Sequence, residues 1–365
     1  MKEKKVALIH DWLNGMRGGE KVLEEIIELF PGADVFTLFL EPDKISAKIR
    51  RQKIFTSGLN RYSLIRRRYQ MFLQFFPRAV ESFDLSQYDL LISSSHCVAK
   101  GAIPAPQARH FCYIHSPMRY IWDQYPHYTR NLGTLKGYYM RKLSVHLRIW
   151  DTVSSRRVDH FVANSRFVRD RVMRYYKREA GVIPPPVDTD FFTPGSSGES
   201  RQPYFLSVSA LVPYKRVDQL VRVFNRLKVP LIIVGKGSEE KRLRRMAAAN
   251  IRFVKNLTRE ELRELYRRAS GYVFTGVEDF GISFVEAQAC GLPVIAYRRG
   301  GICDIITPDT GLLFDRSDDS SVIQAIERFR DRKLHPDDIR ENSVRFSRQT
   351  FREKFYRYVE ERSDD

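Results

Sequence analysis

Residues 4–30 read KKVALIHDWLNGMRGGEKVLEEIIELF and contain the unit from which the fold is built. The run VALI is continuously apolar, as expected of a strand that is covered on both faces of a parallel sheet. A glycine-rich turn follows it. Apolar side chains then recur at helical spacing, at Val22, Leu23, Ile26, Ile27 and Phe30. The stretch therefore predicts a strand, a tight turn and an amphipathic helix, in that order.

The same alternation of short apolar strands and helical segments recurs along the rest of the chain. Strand-like stretches are ADVFTLF, YDLLISSS, RHFCYIH and VDHFVANS in the first half, and YFLSVSAL, PLIIVGKG, IRFVKNL, GYVFTG and PVIAYRRGG in the second. Such alternation predicts an α/β fold with mainly parallel sheets. A chain of 365 residues is also longer than one ordinary core supports, so two domains are expected.

The small, polar stretch TPGSSGESRQ has no apolar periodicity, which is typical of a linker. It divides the chain into an N-terminal domain at 1–192, a linker at 193–202 and a C-terminal domain at 203–345. The last segment, 346–365, is charged and amphipathic and predicts a terminal helix.

Composition argues for a cytoplasmic protein. No apolar run approaches the length of about 20 residues that a membrane span requires. The first apolar run ends at His10 and Asp11, which makes it too short and too polar for a signal peptide. The four cysteines show no spacing of a metal site, so reduced thiols are expected.

The positive charge of the chain is concentrated in one region. The formal net charge is +18, and residues 51–150 carry 15 Lys or Arg against 4 Asp or Glu. A local excess of this kind indicates an anionic partner. Nucleic acid, anionic lipid and a phosphorylated substrate all fit the charge.

The stretch GVEDFGISFVEAQACGLPVIA, residues 276–296, places carboxylates around the start of a predicted helix. In parallel sheets, ligands bind where strands end and helices begin, and the unsatisfied amides of a helix N-terminus favour an anion. Gly281 leaves room for phosphate oxygens, while Glu278 and Glu286 are placed to accept hydrogen bonds from sugar and ribose hydroxyls. Acidic residues that only complement the helix dipole are the alternative interpretation.

Taken together with its neighbours, this stretch resembles the E-x7-E signature of retaining GT-B glycosyltransferases of family 4. LVPYKRVDQLV, VGKG, LTREELRELYRRA and GGICDIITPDTGLLF match in order, as do IHDWLNGMRGGEKVLE, SSSHCVAKG, YIHSPMRYIWD and VANSRFVRDRV in the first half. The chain is most similar to bacterial mannosyltransferases of O-antigen and exopolysaccharide synthesis. The resemblance implies two Rossmann-like domains that face each other across a cleft, with the terminal helix crossing back to the first domain.

The resemblance also implies roles for individual residues. Glu278, His115 and Lys215 would be catalytic, and Glu286 would hold the nucleotide ribose. Lys215 and Arg216 would clamp the diphosphate. The full donor-binding set is Gly18, Gly19, Lys215, Arg216, Glu278, Phe280, Gly281, Ile282 and Glu286. Acceptor-side residues would be Arg17, Arg119, Trp122 and Asp123.

One position departs from the family pattern. Many relatives carry an arginine five residues before the lysine, where this chain has Ala210. Either Arg216 or another basic residue would then supply the second cation.

The reaction implied by the resemblance is transfer of a hexose with retention of configuration and no bound metal. Front-face attack, in which the leaving phosphate helps to deprotonate the acceptor, would replace a carboxylate nucleophile. We expect GDP-mannose as donor and no cofactor, with a UDP-hexose as the alternative. The VDTD stretch that contains Asp188 and Asp190 follows three prolines and is not expected to bind a metal.

Residues 50–78 combine arginines such as Arg66, Arg67 and Arg68 with many apolar side chains. These are Phe55, Tyr62, Leu64, Ile65, Tyr69, Phe72, Leu73, Phe75 and Phe76. An amphipathic basic stretch suits an anionic membrane surface, and nucleic-acid binding and ordinary core packing are the alternatives. We expect peripheral contact with the inner face of the cytoplasmic membrane, a lipid-diphosphate-linked saccharide as acceptor, and no nucleic acid. A basic lipid- or nucleic-acid-binding protein without catalytic activity is the competing class.

Overall fold

The computed structural model describes residues 4–129, 133–195 and 201–363. The chain divides into two compact units. The first comprises Met1–Pro186 together with Gln349–Asp365, and the second comprises Val187–Arg348. Both are layered α/β structures with parallel sheets, as the alternation of strands and helices predicts.

The first unit is built on a parallel sheet whose described strands run in the order β3-β2-β1-β4-β5-β6-β7. The strands are β1 Val6–His10, β2 Asp34–Thr37, β3 Ile54–Thr56, β4 Leu90–Ser95, β5 Arg109–Ile114, β6 His160–Ala163 and β7 Ala180–Val182. The helices are α1 Gly18–Leu29, α2 Ala47–Arg50, α3 Ser63–Arg67, α4 Phe76–Glu81, α5 Tyr125–Thr129, α6 Thr134–Ser154 and α7 Arg166–Tyr176. Every residue of β1 and β4 is buried, because helices cover both faces of the sheet.

The last helix of the chain, α14 at Arg348–Arg362, completes one face of the first unit. Its buried side chains Phe351, Phe355 and Val359 share a core cluster with strands β1, β2 and β4 and with helix α1. The apolar stripe of α1 that the sequence indicates, Val22 to Phe30, is buried in the same cluster. The terminal helix is therefore part of the core of the first unit.

Replacing Phe355 by alanine is expected to destabilise the first unit by about 3–5 kcal/mol, the usual cost of deleting a buried phenylalanine ring. The ring of Phe355 is fully buried against the sheet. The neighbouring exposed Lys354 provides the matched control, and Lys354→Ala is expected to change stability by less than about 0.5 kcal/mol. Urea unfolding of both variants measures the difference. Equal stabilities would show that α14 is only loosely attached.

The second unit is built on a parallel sheet in which the described strands run in the order β10-β9-β8-β11-β12-β13. They are β8 Phe205–Val208, β9 Leu231–Val234, β10 Ile251–Val254, β11 Gly271–Phe274, β12 Val294–Tyr297 and β13 Gly311–Phe314. The helices are α8 Val217–Leu227, α9 Glu240–Met246, α10 Arg259–Arg268, α11 Ile282–Ala289, α12 Asp319–Arg330 and α13 Pro336–Val344. Two buried apolar clusters, one containing Phe284 and the other Phe224, form its core.

The change from the first unit to the second lies earlier than the linker at 193–202 predicts. Val187 already belongs to the second unit, where its N–H donates to the carbonyl of Phe346 over 2.9 Å, and the ring of Phe192 is buried in the second core. These contacts join residues far apart in the sequence. A boundary placed at the small polar segment that follows therefore falls too late in the chain. Residues 196–200 of the predicted linker lie outside the described residues.

Residues 50–78 do not form the single amphipathic stretch that the sequence suggests. They contain strand β3, helix α3 and the start of helix α4, joined by short 3-10 segments. Six of the nine apolar side chains, among them Tyr69 and Phe76, pack into a core cluster of the first unit. Tyr62, Leu64 and Phe75 remain exposed, as does Met71. Core packing therefore accounts for most of this segment, and a smaller apolar surface remains.

Three expectations from composition concern membrane-spanning helices, metal sites and the cysteine thiols. Across residues 4–129, 133–195 and 201–363, no helix has both the length and the apolar character needed to cross a bilayer. The same residues contain no cluster of three His, Cys, Asp or Glu side chains arranged to hold a metal ion. The thiols of Cys97, Cys112 and Cys290 are buried, whereas Cys303 is exposed.

Candidate functional site

The residues of interest in the second unit lie at the point where its strand order reverses. The chain builds β8, β9 and β10 toward one side, then returns to place β11 on the other side of β8. At such a reversal the loops after the two central strands diverge and leave a crevice, where ligands bind in open α/β sheets. The loop after β8 carries Lys215, and the loop after β11 carries Glu278.

Lys215 and Glu278 form an ion pair across this crevice. The Lys215 residue is only 5% exposed, and its ammonium lies 5.0 Å from the ring centre of Tyr214 and 5.9 Å from that of Phe274. The carboxylate of Glu278 is more open to solvent. A cation held in this mostly water-excluded position attracts a phosphate more strongly than a solvated lysine does. The structure thus brings together two of the residues to which the sequence assigns catalysis.

Helix α11 begins beside Glu278 and presents its N-terminus to the crevice. Gly281 precedes the helix with φ +103°, a left-handed conformation that favours glycine. A Cβ atom at Gly281 would also overlap the ring of Phe284. The sequence suggested that this glycine leaves space for phosphate oxygens. The structure adds a second reason, because the turn into α11 has no room for a side chain at this position.

Glu286 is buried one turn into α11. Its Oε2 accepts a hydrogen bond from the hydroxyl of Tyr266 over 3.2 Å. Burial, with the nearby Glu286 carboxylate, raises the pKa of Tyr266 well above its usual range, so the phenol stays a donor at neutral pH. Phe280 points into the core, where its ring lies 5.6 Å from that of Phe346, and Ile282 is partly buried against the same cluster. The roles implied for Phe280 and Ile282 involve only their backbone groups, and they stay predictions.

Arg216 and the loop around Ala210 show how cations are placed near Lys215. Arg216 has φ +53° and is the N-cap residue just before helix α8, and its guanidinium donates to the carbonyl of Ser317 over 3.1 Å. The exposed Ala210 lies next to Leu211, whose N–H donates to the carbonyl of Lys236 over 2.9 Å. Arg216 is thus engaged with Ser317, and Lys236 is a further cation on a loop that contacts the Ala210 loop.

Gly300 and Gly301 support the site, although no role was predicted for them. A Cβ at Gly300 would overlap the carbonyl oxygen of Glu278, and one at Gly301 would overlap that of Asp279. The N–H of Gly301 donates to the carbonyl of Glu278 over 2.9 Å. The doubled glycine in the loop after strand β12 was the available signal, because only glycine lets this loop pack against the backbone that carries Glu278.

In the first unit, His115 lies close to the glycine turn before α1. Nε2 of His115 is 2.8 Å from the hydroxyl of Ser94, and its backbone N–H donates to Ser95 over 2.8 Å. A Cβ on Gly19 would lie 3.6 Å from that Nε2 atom. Gly18 is the first residue of α1.

Arg17 lies just before α1 and is tied to its own turn. Its backbone N–H donates to the carboxylate of Glu20 over 2.9 Å, and its guanidinium donates to the side chain of Asn14 over 3.3 Å. Its assignment to the acceptor side stays a prediction.

The other residues predicted to face the acceptor have structural partners. Nε1 of Trp122 donates to the buried carboxylate of Asp151 over 2.7 Å, and Asp123 forms an ion pair with the buried guanidinium of Arg171. Nε of Arg119 donates to the hydroxyl of Ser116 over 3.4 Å. These contacts hold the segment after β5 in place, and a role for Arg119, Trp122 and Asp123 toward an acceptor stays a prediction.

One aspartate of the VDTD stretch, Asp188, forms ion pairs. The carboxylate of Asp188 contacts the guanidiniums of both Arg259 and Arg348. Asp188 therefore contributes to the packing of the second unit, where its charge is neutralised by two arginines.

Two family models divide the chain between them. Residues 16–191 match the model described as Glycosyltransferase Family 4, and residues 190–346 match the model described as Glycosyl transferases group 1. Both models describe glycosyltransferases, and together they cover residues 16–346. The Lys215–Glu278 site lies within the residues that match the group 1 model.

The chain spans about half or less of the length of two curated relatives that it matches. A GDP-mannose-dependent alpha-(1-6)-phosphatidylinositol monomannoside mannosyltransferase of Mycolicibacterium smegmatis is 32% identical over 192 residues, covering 44% of this chain and 50% of the relative. A D-inositol 3-phosphate glycosyltransferase of Mycobacteroides abscessus is 32% identical over 179 residues, covering 42% and 40%.

Among solved structures, a sucrose-phosphate synthase from Thermosynechococcus elongatus is similar over nearly the whole chain. It superposes with a TM-score of 0.72 at 17% identity, covering 98% of this chain and 99% of that one. At this identity the likeness concerns the fold.

Proposed function

We propose that the chain transfers mannose from GDP-mannose to a lipid-linked saccharide during synthesis of a surface polysaccharide, with retention of configuration and without a bound metal. The observation that carries the proposal is the Lys215–Glu278 pair at the strand-order reversal of the second sheet, beside the N-terminus of α11. A cation, a carboxylate and free helix amides at one crevice fit a phosphorylated sugar.

The chemistry of glycosyl transfer explains this combination of groups. When the bond between the anomeric carbon and the diphosphate breaks, its electron pair stays with the nucleotide diphosphate, which gains negative charge. Fixed cations and helix amides stabilise that charge. Lys215 and the N-terminus of α11 have this role in our proposal, Glu278 accepts hydrogen bonds from sugar hydroxyls, and Glu286 binds the ribose.

The identity of the donor rests on the named relatives. The mycobacterial relative is described as GDP-mannose-dependent, and it shares 32% identity with this chain over the matched residues. We therefore propose GDP-mannose, with a UDP-hexose as the alternative.

A thermal-shift panel of GDP, UDP, ADP and their sugars tests the donor proposal. GDP and GDP-mannose are expected to raise the melting temperature, since a ligand present at 100 times its dissociation constant stabilises a protein by about 2.7 kcal/mol. The exposed Lys241 serves as control: Lys241→Ala is expected to keep the shift, and Lys215→Ala to lose most of it. A shift with UDP compounds alone would favour the UDP-hexose alternative. No shift with any nucleotide would contradict a donor site.

We further propose that the first unit contacts the inner face of the cytoplasmic membrane, where a lipid-diphosphate-linked acceptor would lie. Residues 50–78 contain eight Lys or Arg and no Asp or Glu. Tyr62, Leu64, Met71 and Phe75 of this segment are exposed, with Met71 at 63%. Basic residues with exposed apolar side chains suit an anionic lipid surface. The description of one relative as acting on a phosphatidylinositol monomannoside supports a lipid acceptor.

Reversing the charge of Arg66, Arg67 and Arg68 to glutamate is expected to weaken binding to anionic vesicles by about 100-fold or more, because each basic residue near such a surface contributes about 1 kcal/mol. Co-sedimentation with vesicles of phosphatidylglycerol and phosphatidylcholine measures the effect, and binding of the parent chain should weaken as salt rises. The same reversal in α9, at Arg242, Arg244 and Arg245, changes net charge equally and is the control. Equal loss in both triple variants would point to net charge alone and would contradict a local membrane surface.

A further inference from the structure

The first sheet has its own strand-order reversal, between β1 and β4. The chain builds β1, β2 and β3 toward one side and then places β4 on the other side of β1. Asp11 directly follows β1, and His96 directly follows β4. This pair occupies the same topological position in the first unit as Lys215 and Glu278 do in the second, a position where open α/β sheets bind ligands.

Asp11 is fully buried and organises the turn after β4. Its two carboxylate oxygens accept hydrogen bonds from four consecutive backbone N–H groups: His96 over 2.7 Å, Cys97 over 2.9 Å, Val98 over 2.6 Å and Ala99 over 2.7 Å. The same carboxylate lies 3.0 Å from Nδ1 of His96. Backbone and imidazole of His96 are therefore fixed by one side chain.

The imidazole of His96 is held at one nitrogen and open at the other. Because Nδ1 faces the Asp11 carboxylate, that nitrogen carries a proton, and in the neutral ring Nε2 is a hydrogen-bond acceptor. The side chain is 36% exposed, and its ring contacts the edge of Trp12 at 4.5 Å between ring centres. Among residues 4–129, 133–195 and 201–363, no group hydrogen-bonds to Nε2 of His96.

The charged and titratable groups around His96 leave this acceptor intact. Besides Asp11, they are His10 of β1 and His115 after β5, and Glu20 of α1 acts on His10. Burial lowers the pKa of His10, so its ring is neutral near pH 7. The ring of His115 lies 6.3 Å from that of His96, and its Nε2 pairs with the hydroxyl of Ser94. No cation stands beside Nε2 of His96 in this set, so the position suits a hydroxyl better than a phosphate.

We propose that Nε2 of His96 binds a hydroxyl of the saccharide acceptor, and that Asp11 is the positioning residue that aims the imidazole. The inference rests on the proposed function, because a transfer reaction needs a second substrate besides the sugar nucleotide. A saccharide offers hydroxyl donors, which a neutral Nε2 accepts.

The test uses the full chain with GDP-mannose as donor and a mixture of methyl α-glycosides of mannose, glucose and galactose as acceptor probes, with nucleotide release as the signal. His96→Gln is expected to raise the acceptor KM by about 10-fold, the equivalent of one lost hydrogen bond. The thermal shift with GDP should stay unchanged. Exposed His146 on α6 provides the matched control, His146→Gln. The control is expected to keep the acceptor KM of the parent chain, and His96→Gln is expected to keep a kcat within about 3-fold of the parent.

Each outcome separates the inference from the proposed function. No nucleotide release by the parent chain with any tested sugar nucleotide overturns the proposed function, and this inference with it. Release by His96→Gln with the acceptor KM of the control overturns the inference alone. A lower kcat with unchanged acceptor KM would also overturn it, because a residue that only shapes the turn would act in that way.

Discussion

Lys215→Ala is expected to lower kcat/KM for glycosyl transfer by about 100- to 1,000-fold, the usual cost of removing one fixed group that stabilises developing charge. The ammonium of Lys215 is nearly buried at the end of β8 and faces the carboxylate of Glu278. The substitution removes the cation that stabilises the leaving diphosphate. It also leaves the negative charge of the Glu278 carboxylate beside a phosphate with no lysine to neutralise it. Like charges at this distance oppose binding of the donor.

Steady-state nucleotide release measures this effect, with Lys241→Ala on the exposed face of α9 as the control. The control is expected to stay within about 2-fold of the parent chain, because surface substitutions away from a site change little. Lys215→Arg keeps the charge and is expected to recover part of the activity. A rate for Lys215→Ala within about 3-fold of the parent would contradict a catalytic role for Lys215, since a fixed charged group contributes far more than that.

The second large effect concerns Asp11 and stability. Asp11→Ala is expected to destabilise the first unit by about 3–5 kcal/mol, the range found when one partner of a buried charge network is removed. The substitution leaves four backbone N–H groups after β4 without their acceptor, from His96 to Ala99. Asp43→Ala, at an exposed carboxylate, is the control and is expected to be nearly neutral.

Acid provides an independent measurement of the same carboxylate. Burial alone would raise the pKa of Asp11, but the charge and hydrogen bonds of His96, with the charge of His10, outweigh it and hold the pKa well below its usual range. A lowered pKa in the folded state means that the stabilisation is present at neutral pH and is lost as the pH falls below about 4. Urea unfolding between pH 7 and pH 3 should therefore show a steeper loss for the parent than for Asp11→Asn. Parallel losses would contradict the assignment.

The layered architecture could be predicted from the sequence because buried parallel strands consist of short continuous runs of apolar residues. Strands β1, β4 and β11 lie within stretches that the pattern indicates, and the stripe from Val22 to Phe30 packs as its spacing implies. Strand β3 at Ile54–Thr56 was missed, because it is short and lies among basic residues at the edge of the sheet. Its neighbours Arg51 and Lys53 made the region look like one charged amphipathic stretch.

Local sequence could not set the domain boundary. The turn to the second unit depends on Val187, which pairs with the backbone of Phe346, some 160 residues further along the chain. A composition rule finds small polar residues, and those begin only after Phe192 has already packed into the second core.

The site could be predicted in part, because its motifs mark where strands end. Lys215 and Glu278 do meet, and His115 does lie beside Gly19. The partners of Trp122 and Asp123 were not foreseeable, since Asp151 and Arg171 come from α6 and α7. The pairing of Asp11 with the turn after β4 joins residues 85 positions apart, and no local pattern signals it.

Nucleotide release from sugar nucleotides by the purified full chain tests the central claim most directly. Our account predicts release of GDP from GDP-mannose in the presence of saccharide acceptors, with the rate reduced about 100-fold or more by Lys215→Ala and unchanged by Lys241→Ala. Absence of release from GDP-, UDP- and ADP-sugars alike, by a chain that is folded and binds anionic vesicles, would contradict the claim. That result would favour a basic binding protein without transferase activity.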